Sequence, residues 1–160
     1  MLEITARTER VADPGLTITL IFQDRQRSRL RVSLSTGEAA LMLMPRGSVL
    51  RGGDTVALSD GRVASIVSAP ETVSTVRGRD ARSLARAAYH LGNRHMPLEV
   101  GDGFLRYLHD HVLDGMVRTL GLQVVVEEAS FEPEAGAYGG HSHHDARSLA
   151  GITLSAGDDR

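Results

Sequence analysis

Cysteine, lysine and tryptophan are absent from the 160 residues, and the aromatics amount to three Tyr and three Phe. Without cysteine there is no disulfide framework, no thiol nucleophile and no thiolate site for structural zinc or copper(I), so a metal must be held by imidazole and oxygen. All eighteen basic residues are Arg. The lack of lysine removes Schiff-base chemistry, lysine general bases and the phosphate-gripping lysine of a P-loop. No run of about 18 apolar residues occurs, and the chain opens without a basic segment followed by an apolar one, so a soluble, cytoplasmic protein with no membrane association is expected. Eighteen basic against twenty acidic groups leave a net charge of −2, which gives nucleic acid no bulk field to follow.

What is present divides the chain. From Leu2 to about Val76 the apolar pattern has period two: Leu16, Ile18, Leu20 and Phe22 alternate mostly with polar residues, as do Leu30, Val32 and Leu34. Turn signals at Asp13-Pro14-Gly15, Gly37, Pro45-Arg46-Gly47, Gly52-Gly53-Asp54 and Asp60-Gly61 separate strands expected near 2–7, 16–22, 29–35, 38–44, 54–58, 62–68 and 72–77. This is the pattern of a small all-β domain, residues 1–72. Arg25, Arg27, Arg29 and Arg31 recur at every second position, which on one extended strand lines four guanidiniums along a face. Such a stripe is either a docking surface for an acidic partner or the solvated, aggregation-resistant edge of a sheet.

The character changes near 70–78. Over 80–92, Leu84, Ala88 and Leu91 share one face with arginines opposite, which predicts an amphipathic helix stopped by Gly92-Asn93. A short strand at 98–100, the Gly101-Asp102-Gly103 turn and a strand at 104–108 follow. Asp110 is placed to cap a second helix carrying Leu113, Met116, Val117 and Leu120, Gly121 ends it, and a β-branched strand runs over 123–128. With the strand at 72–77 the order is β-α-β-β-α-β, a ferredoxin-like domain over 73–132 in an α+β chain. Residues 133–160, rich in Gly, Ala, Ser, Asp and His, read as a flexible tail.

All seven histidines lie between residues 90 and 144. His95 stands between the Gly92-Asn93 stop and Pro97, on a corner that proline keeps out of helical geometry; it is a ligand on a rigid support or an ordinary surface ring. His90 falls one position off the apolar stripe and reads as a helix-surface ring. His109 and His111 form H-D-H: if the strand continues, both rings project to one side as a clamp, and if Asp110 caps a helix, they splay apart. His141, His143 and His144 form a short His-bearing tract, a metal-capture device or a purification tag. Interleaved Ser142 and the sixteen residues after His144 argue against a tag. H-E-x-x-H and P-loop patterns are absent.

The block Y-H-L-G-N-R-H-M-P-L at 89–98, D-H-V-L at 110–113 followed by Leu120-Gly121, P-R-G-S-V-L-R-G-G-D at 45–54 and F-E-P-E-A-G-A-Y-G-G-H at 131–141 resemble urease accessory protein E, a family of nickel metallochaperones. The resemblance implies an N-terminal domain similar to the peptide-binding domain of a heat-shock co-chaperone, then a ferredoxin-like domain that dimerises. It implies that His95 faces its twin across a two-fold axis, that His141, His143 and His144 complete the nickel shell, and that His109 and His111 give secondary binding. It also implies a homodimer that catalyses no reaction and passes Ni²⁺ to a GTPase and on to the urease apoenzyme, with Zn²⁺ and Cu²⁺ as competing ions. Members with long polyhistidine tails store more metal than three tail histidines allow; roughly one or two ions per dimer is expected here. Glu99 stands where glutamine is common in the family. Because neutral imidazole is the ligand, affinity is expected to fall as pH drops through imidazole's ordinary range near about 6.5.

Two rival readings come from other classes. A zinc-dependent hydrolase would use His109 and His111, with a third fixed ligand and a carboxylate base still to be supplied. A small RNA-binding module shares the β-α-β-β-α-β order, but it needs strand aromatics for base stacking, and 123–128 has none.

Overall fold

The alternating segments become strands of two sheets in a computed structural model that describes residues 1–136, an α+β chain of mostly strands with few helices. The first sheet holds β1 (Leu2–Thr8), β2 (Leu16–Leu20), β3 (Arg29–Ser33), β4 (Ala39–Leu43), β5 (Thr55–Leu58) and β6 (Val63–Ser68), in the order β2-β6-β5-β1-β4-β3. Pairs β1·β4 and β2·β6 are parallel and the others antiparallel. Period two sends Ile4, Ile18, Met42, Val56 and Ile66 into one core, closed by Leu50. Each such side chain contributes about 1.5–3 kcal/mol of transfer free energy.

The alternation that predicts a strand through Phe22 ends instead at Leu20. Phe22–Arg25 forms one turn of helix, α1, with Asp24 N and Arg25 N both donating to Ile21 O at 3.1 Å. Four arginines therefore do not share one strand face: Arg25 turns inward and is 1% exposed, Arg27 pairs with Asp24 at 3.2 Å, and only Arg29 and Arg31 stand together on β3. The physical reason is the demand for Phe22 and Arg25 at the contact with the second sheet. There Phe22 N donates to Glu71 Oε2 at 2.8 Å, and the Phe22 ring meets Phe131 edge-on at 5.5 Å.

The second sheet follows the succession β7 (Glu71–Arg77), α2 (Ala81–Gly92), β8 (Glu99–Gly101), β9 (Phe104–Leu108), α3 (His111–Thr119) and β10 (Gln123–Ala129). Its strands are all antiparallel, in the order β10-β7-β9-β8. Both helices lie on one face, where Ala87, Leu91 and Val117 pack on Val76, Leu105 and Tyr107. Asp80 caps α2 by accepting from Ser83 N at 2.8 Å, and Asp110 caps α3 by accepting from Val112 N at 2.8 Å and Leu113 N at 3.1 Å. The opposite face is polar: Arg106 donates to Thr75 Oγ1 at 3.0 Å and pairs with Glu99 at 3.4 Å and Glu127 at 3.6 Å. At one end of that face Val73 joins Phe22 and Phe131 in a small buried cluster against the first sheet. Among the described residues no helix is long and apolar enough to cross a membrane.

Candidate metal centre

Register puts the candidate rings at one end of the second sheet. Val73 opposes Leu108 and Ala129 opposes Glu71 at that end, whereas Arg77 opposes Phe104 at the other. Helix α2 returns the chain to the Glu71 end before β8 starts, so the corner bearing His95 belongs there with His109, His111 and the start of α3.

His95 is exposed, with φ of 55°, the one non-glycine residue with positive φ among those described. Helix α2 stops at Gly92-Asn93 as expected, ending at Gly92 with Asn93 as its C-cap (φ −65°, ψ −12°), and the left-handed residue comes two positions after the cap. Arg94 N donates to Leu91 O and His95 N to Gly92 O, both at 3.0 Å, tightening the last turn so that reversal falls on His95. A side chain with a Cβ is disfavoured in this region by roughly 1–2 kcal/mol. Glycine, which adopts it freely, does not stand here. Backbone strain at an exposed imidazole is the kind of local outlier that accompanies functional sites.

His109 and His111 take the splayed arrangement. The β9 ladder ends at Leu108 and Asp110 caps α3, so His109 lies just past the strand and His111 opens the helix. The N–H groups of Leu113 and Val112, donated to Asp110, hold its carboxyl below the usual carboxylate range. His109 is oriented from beneath: Ser74 Oγ is 3.1 Å from Nδ1 and Asp114 Oδ2 is 3.3 Å from the same atom. Tyr107 Oη donates to Asp114 Oδ1 at 2.8 Å. Burial, and then the Asp114 carboxylate, push the Tyr107 phenol well above its ordinary range. A Ser, a His and an Asp thus converge, but both partners address Nδ1. Nucleophile activation needs the serine on one ring nitrogen and the carboxylate on the other. What the arrangement does instead is engage Nδ1 of a ring whose side chain is 38% exposed and leave Nε2 as the nitrogen open to a metal, the disposition of a histidine ligand backed by a carboxylate.

Sequence reasoning missed Asp114, Ser74 and Tyr107. A polar residue at i−3 from buried Val117, inside the apolar side of α3, was the available signal. His90 is partly buried and meets Tyr89 edge-on at 5.3 Å. His141, His143 and His144 lie outside the described residues. Among the described residues no group of three or more His, Asp or Glu is gathered to hold a metal ion.

The chain leaves β10 along a fixed path. Glu132 Oε1 accepts from Arg25 Nη1 at 2.7 Å and from Gly52 N at 2.9 Å, while Arg51 Nη1 donates to Pro133 O at 2.6 Å. Glu99 Oε2 accepts from Glu132 N at 3.0 Å, and Glu134 N donates to Leu98 O at 2.8 Å.

Two family models together span nearly the whole chain: UreE urease accessory protein, N-terminal domain, over residues 4–69, and UreE urease accessory protein, C-terminal domain, over 71–151. The chain belongs to the UreE urease accessory protein family. Curated UreE relatives include urease accessory protein UreE of Alkalilimnicola ehrlichii, 54% identical over 88% of this chain and 86% of the relative. The UreE of Pseudomonas putida is 53% identical over 85% and 86%, and that of Aliivibrio fischeri 58% identical over 79% and 78%. These UreE relatives are named accessory proteins rather than enzymes, which fits a role in urease maturation.

Proposed function

We propose that this UreE-family chain is a cytoplasmic nickel metallochaperone that works as a homodimer. Its paired His95 rings take up Ni²⁺ and pass it to the GTPase of the urease maturation machinery and then to the urease apoenzyme. The observation that carries the reading is His95 itself: an exposed imidazole held on a left-handed backbone corner, at the sheet end that also carries His109 and His111. One ring is a poor site, and a two-fold axis doubles it. Self-association at that end is supported by two large apolar side chains left in solvent, Tyr89 in the last turn of α2 (67% exposed) and Val112 in the first turn of α3 (61%).

In this reading residues 1–72 form the peptide-binding-like domain, 73–132 the ferredoxin-like metal and dimerisation domain, and 133–160 the tail. The strand-helix-strand-strand-helix-strand succession and the β10-β7-β9-β8 sheet order favour a separate second domain, whose first strand β7 opens at Glu71, two residues before that boundary. Tail residues His141, His143 and His144 complete the shell of an ion that accepts imidazole readily and takes four to six donors, with Zn²⁺ and Cu²⁺ as competitors. His109, with Nδ1 engaged and Nε2 open to a metal, and His111 form a secondary site. The hydrolase reading still lacks a third fixed ligand among the described residues. The RNA reading meets Glu99 and Glu127 on the sheet face where phosphates would approach.

Calorimetric nickel titration of the full chain and of His95→Ala tests the assignment. Affinity should fall at least tenfold with dimerisation unchanged in sedimentation; unchanged affinity would overturn it.

A further inference from the structure

We propose that the end of the second sheet remote from His95 and His109 is a docking surface for an acidic protein partner, formed by Arg77, Arg79, Arg82, Arg86 and Arg118. This surface does not depend on the nickel assignment and follows from how charge is distributed along the strands and helices.

Four elements carry their charges in the same sense. Strand β7 opens with Glu71 and closes with Arg77, and β10, antiparallel to it, starts at Gln123 opposite Arg77 and carries Glu127 and Glu128 near its far end. Helix α2 sets out from the Arg77 end with Arg82 and Arg86 and closes with His90 in its last turn. Helix α3 starts at the other end with Asp114 behind the Asp110 cap and carries Arg118 in its last turn. The seven residues of β7 hold the two ends about 20 Å apart. Of the seven arginines between residues 71 and 132, five therefore lie toward one end, while Arg94 stands beside His95 and Arg106 in mid-sheet. The carboxylates of residues 71–132 at the arginine end are Asp80 and Asp102. Asp80 is engaged as the α2 cap, accepting from Ser83 N at 2.8 Å. All five arginines are exposed, and among the described residues none of them is held in an ion pair. Arg82 and Arg86 stand one helical turn apart, a spacing at which like charges weaken a helix. The fold gains nothing from this concentration of charge, and an acidic neighbour relieves it.

Contact with the first sheet is made at the other end, where Phe22 meets Val73 and Phe131 and bonds to Glu71, so the arginine end stays open. Guanidiniums suit carboxylates, which they grip through two parallel N–H bonds. A nucleic acid fits less well, because single strands are held by bases stacked on open aromatic rings. Phe104 is the aromatic ring at that end; the guanidiniums of Arg77 and Arg106 lie 5.9 and 4.7 Å from its centre, and it rests against Gly101, where a Cβ would strike it. An acidic protein drawn in by this field docks without covering the histidine end.

Fluorescence anisotropy with the full chain tests this, using a labelled peptide of alternating glutamate and serine as probe and a single-stranded oligouridine of equal charge as competitor. One variant carries Arg79→Ser, Arg82→Ser and Arg86→Ser together; the control loses the same charge from the first domain through Arg29→Ser, Arg31→Ser and Arg46→Ser. All six side chains are exposed, so both variants keep the fold. The peptide should bind the parent at low salt and be released as salt rises. Binding should weaken about tenfold in the first variant, the combined effect of three exposed ion pairs, and less than about twofold in the control. Absence of peptide binding at low salt, equal weakening in the two variants, or displacement of the peptide by a lower concentration of oligouridine than of unlabelled peptide overturns the proposal. Nickel affinity should be the same in the parent and the first variant, so failure of this surface and failure of the His95 assignment are read separately.

Discussion

Asp114 Oδ2 lies 3.3 Å from His109 Nδ1, and the carboxylate belongs to one of the few charged residues in the interior, 2% exposed on α3. Its other oxygen is occupied by Tyr107 Oη, so the pair joins the floor of the second core to a ring at the surface.

Replacing Asp114 by Ala should therefore destabilise the fold by about 1–3 kcal/mol, the cost of leaving the buried Tyr107 hydroxyl unpaired. Chemical denaturation at neutral pH measures it. Asp114→Asn keeps an acceptor for Tyr107 but turns an amide donor toward Nδ1. Nitrogen-15 shifts of His109 should then move from the Nδ1–H tautomer toward Nε2–H, taking that nitrogen away from a metal. An unchanged tautomer would show that Ser74 alone orients the ring.

At His95 the backbone argument separates stability from binding. His95→Gly and His95→Ala both remove the imidazole, but only glycine relieves the left-handed residue. His95→Gly should be more stable than His95→Ala by about 1 kcal/mol in denaturant titration, with equal loss of nickel affinity.

Arg25 offers a third test. Taking one partner from a buried charge pair leaves the other without compensation, and Arg25→Ala should cost about 3 kcal/mol. Glu132 retains Arg51 and Gly52 N, which keeps the loss at the low end. The melting temperature of the full chain reads the effect.

A fourth concerns pH. Arg62 donates to both oxygens of Glu38, at 2.7 and 3.0 Å. These bonds, together with the Thr36 hydroxyl, hold the Glu38 carboxyl at about 2, below its ordinary 4.5. A lowered folded value means the contribution is complete above the unfolded value and disappears as pH falls through the folded one. Glu38→Gln should thus lower thermal stability at pH 7, and its difference from the parent should shrink between about pH 4.5 and pH 2.

Local patterns carried much of this architecture into view. Period-two runs located the strands of the first sheet, and the stripes Leu84-Ala88-Leu91 and Leu113-Met116-Val117-Leu120 located both long helices, because burial on one face leaves a mark within a few residues. The D-H sequence at Asp110-His111 was open between strand and cap, and two backbone N–H donors decide for the cap. Helix α1 was hidden because Phe22 continues an alternation that ends before it. The ion pair of Arg25 with Glu132 was invisible for a different reason: the two are 107 positions apart, and no local period records such a pair.

That separation also orders events as the polypeptide is made. Strand β2 waits for β6, since Leu16 finds its neighbour at Ala64, and the first sheet stays incomplete until the ribosome has passed that point. Arg25 waits longer still, an uncompensated cation in a half-built protein until the codon for Glu132 has been translated. Docking of the two sheets is thereby deferred until residue 132 has emerged, and a nascent chain interrupted before that residue should remain open, soft at its middle and prone to capture by proteases.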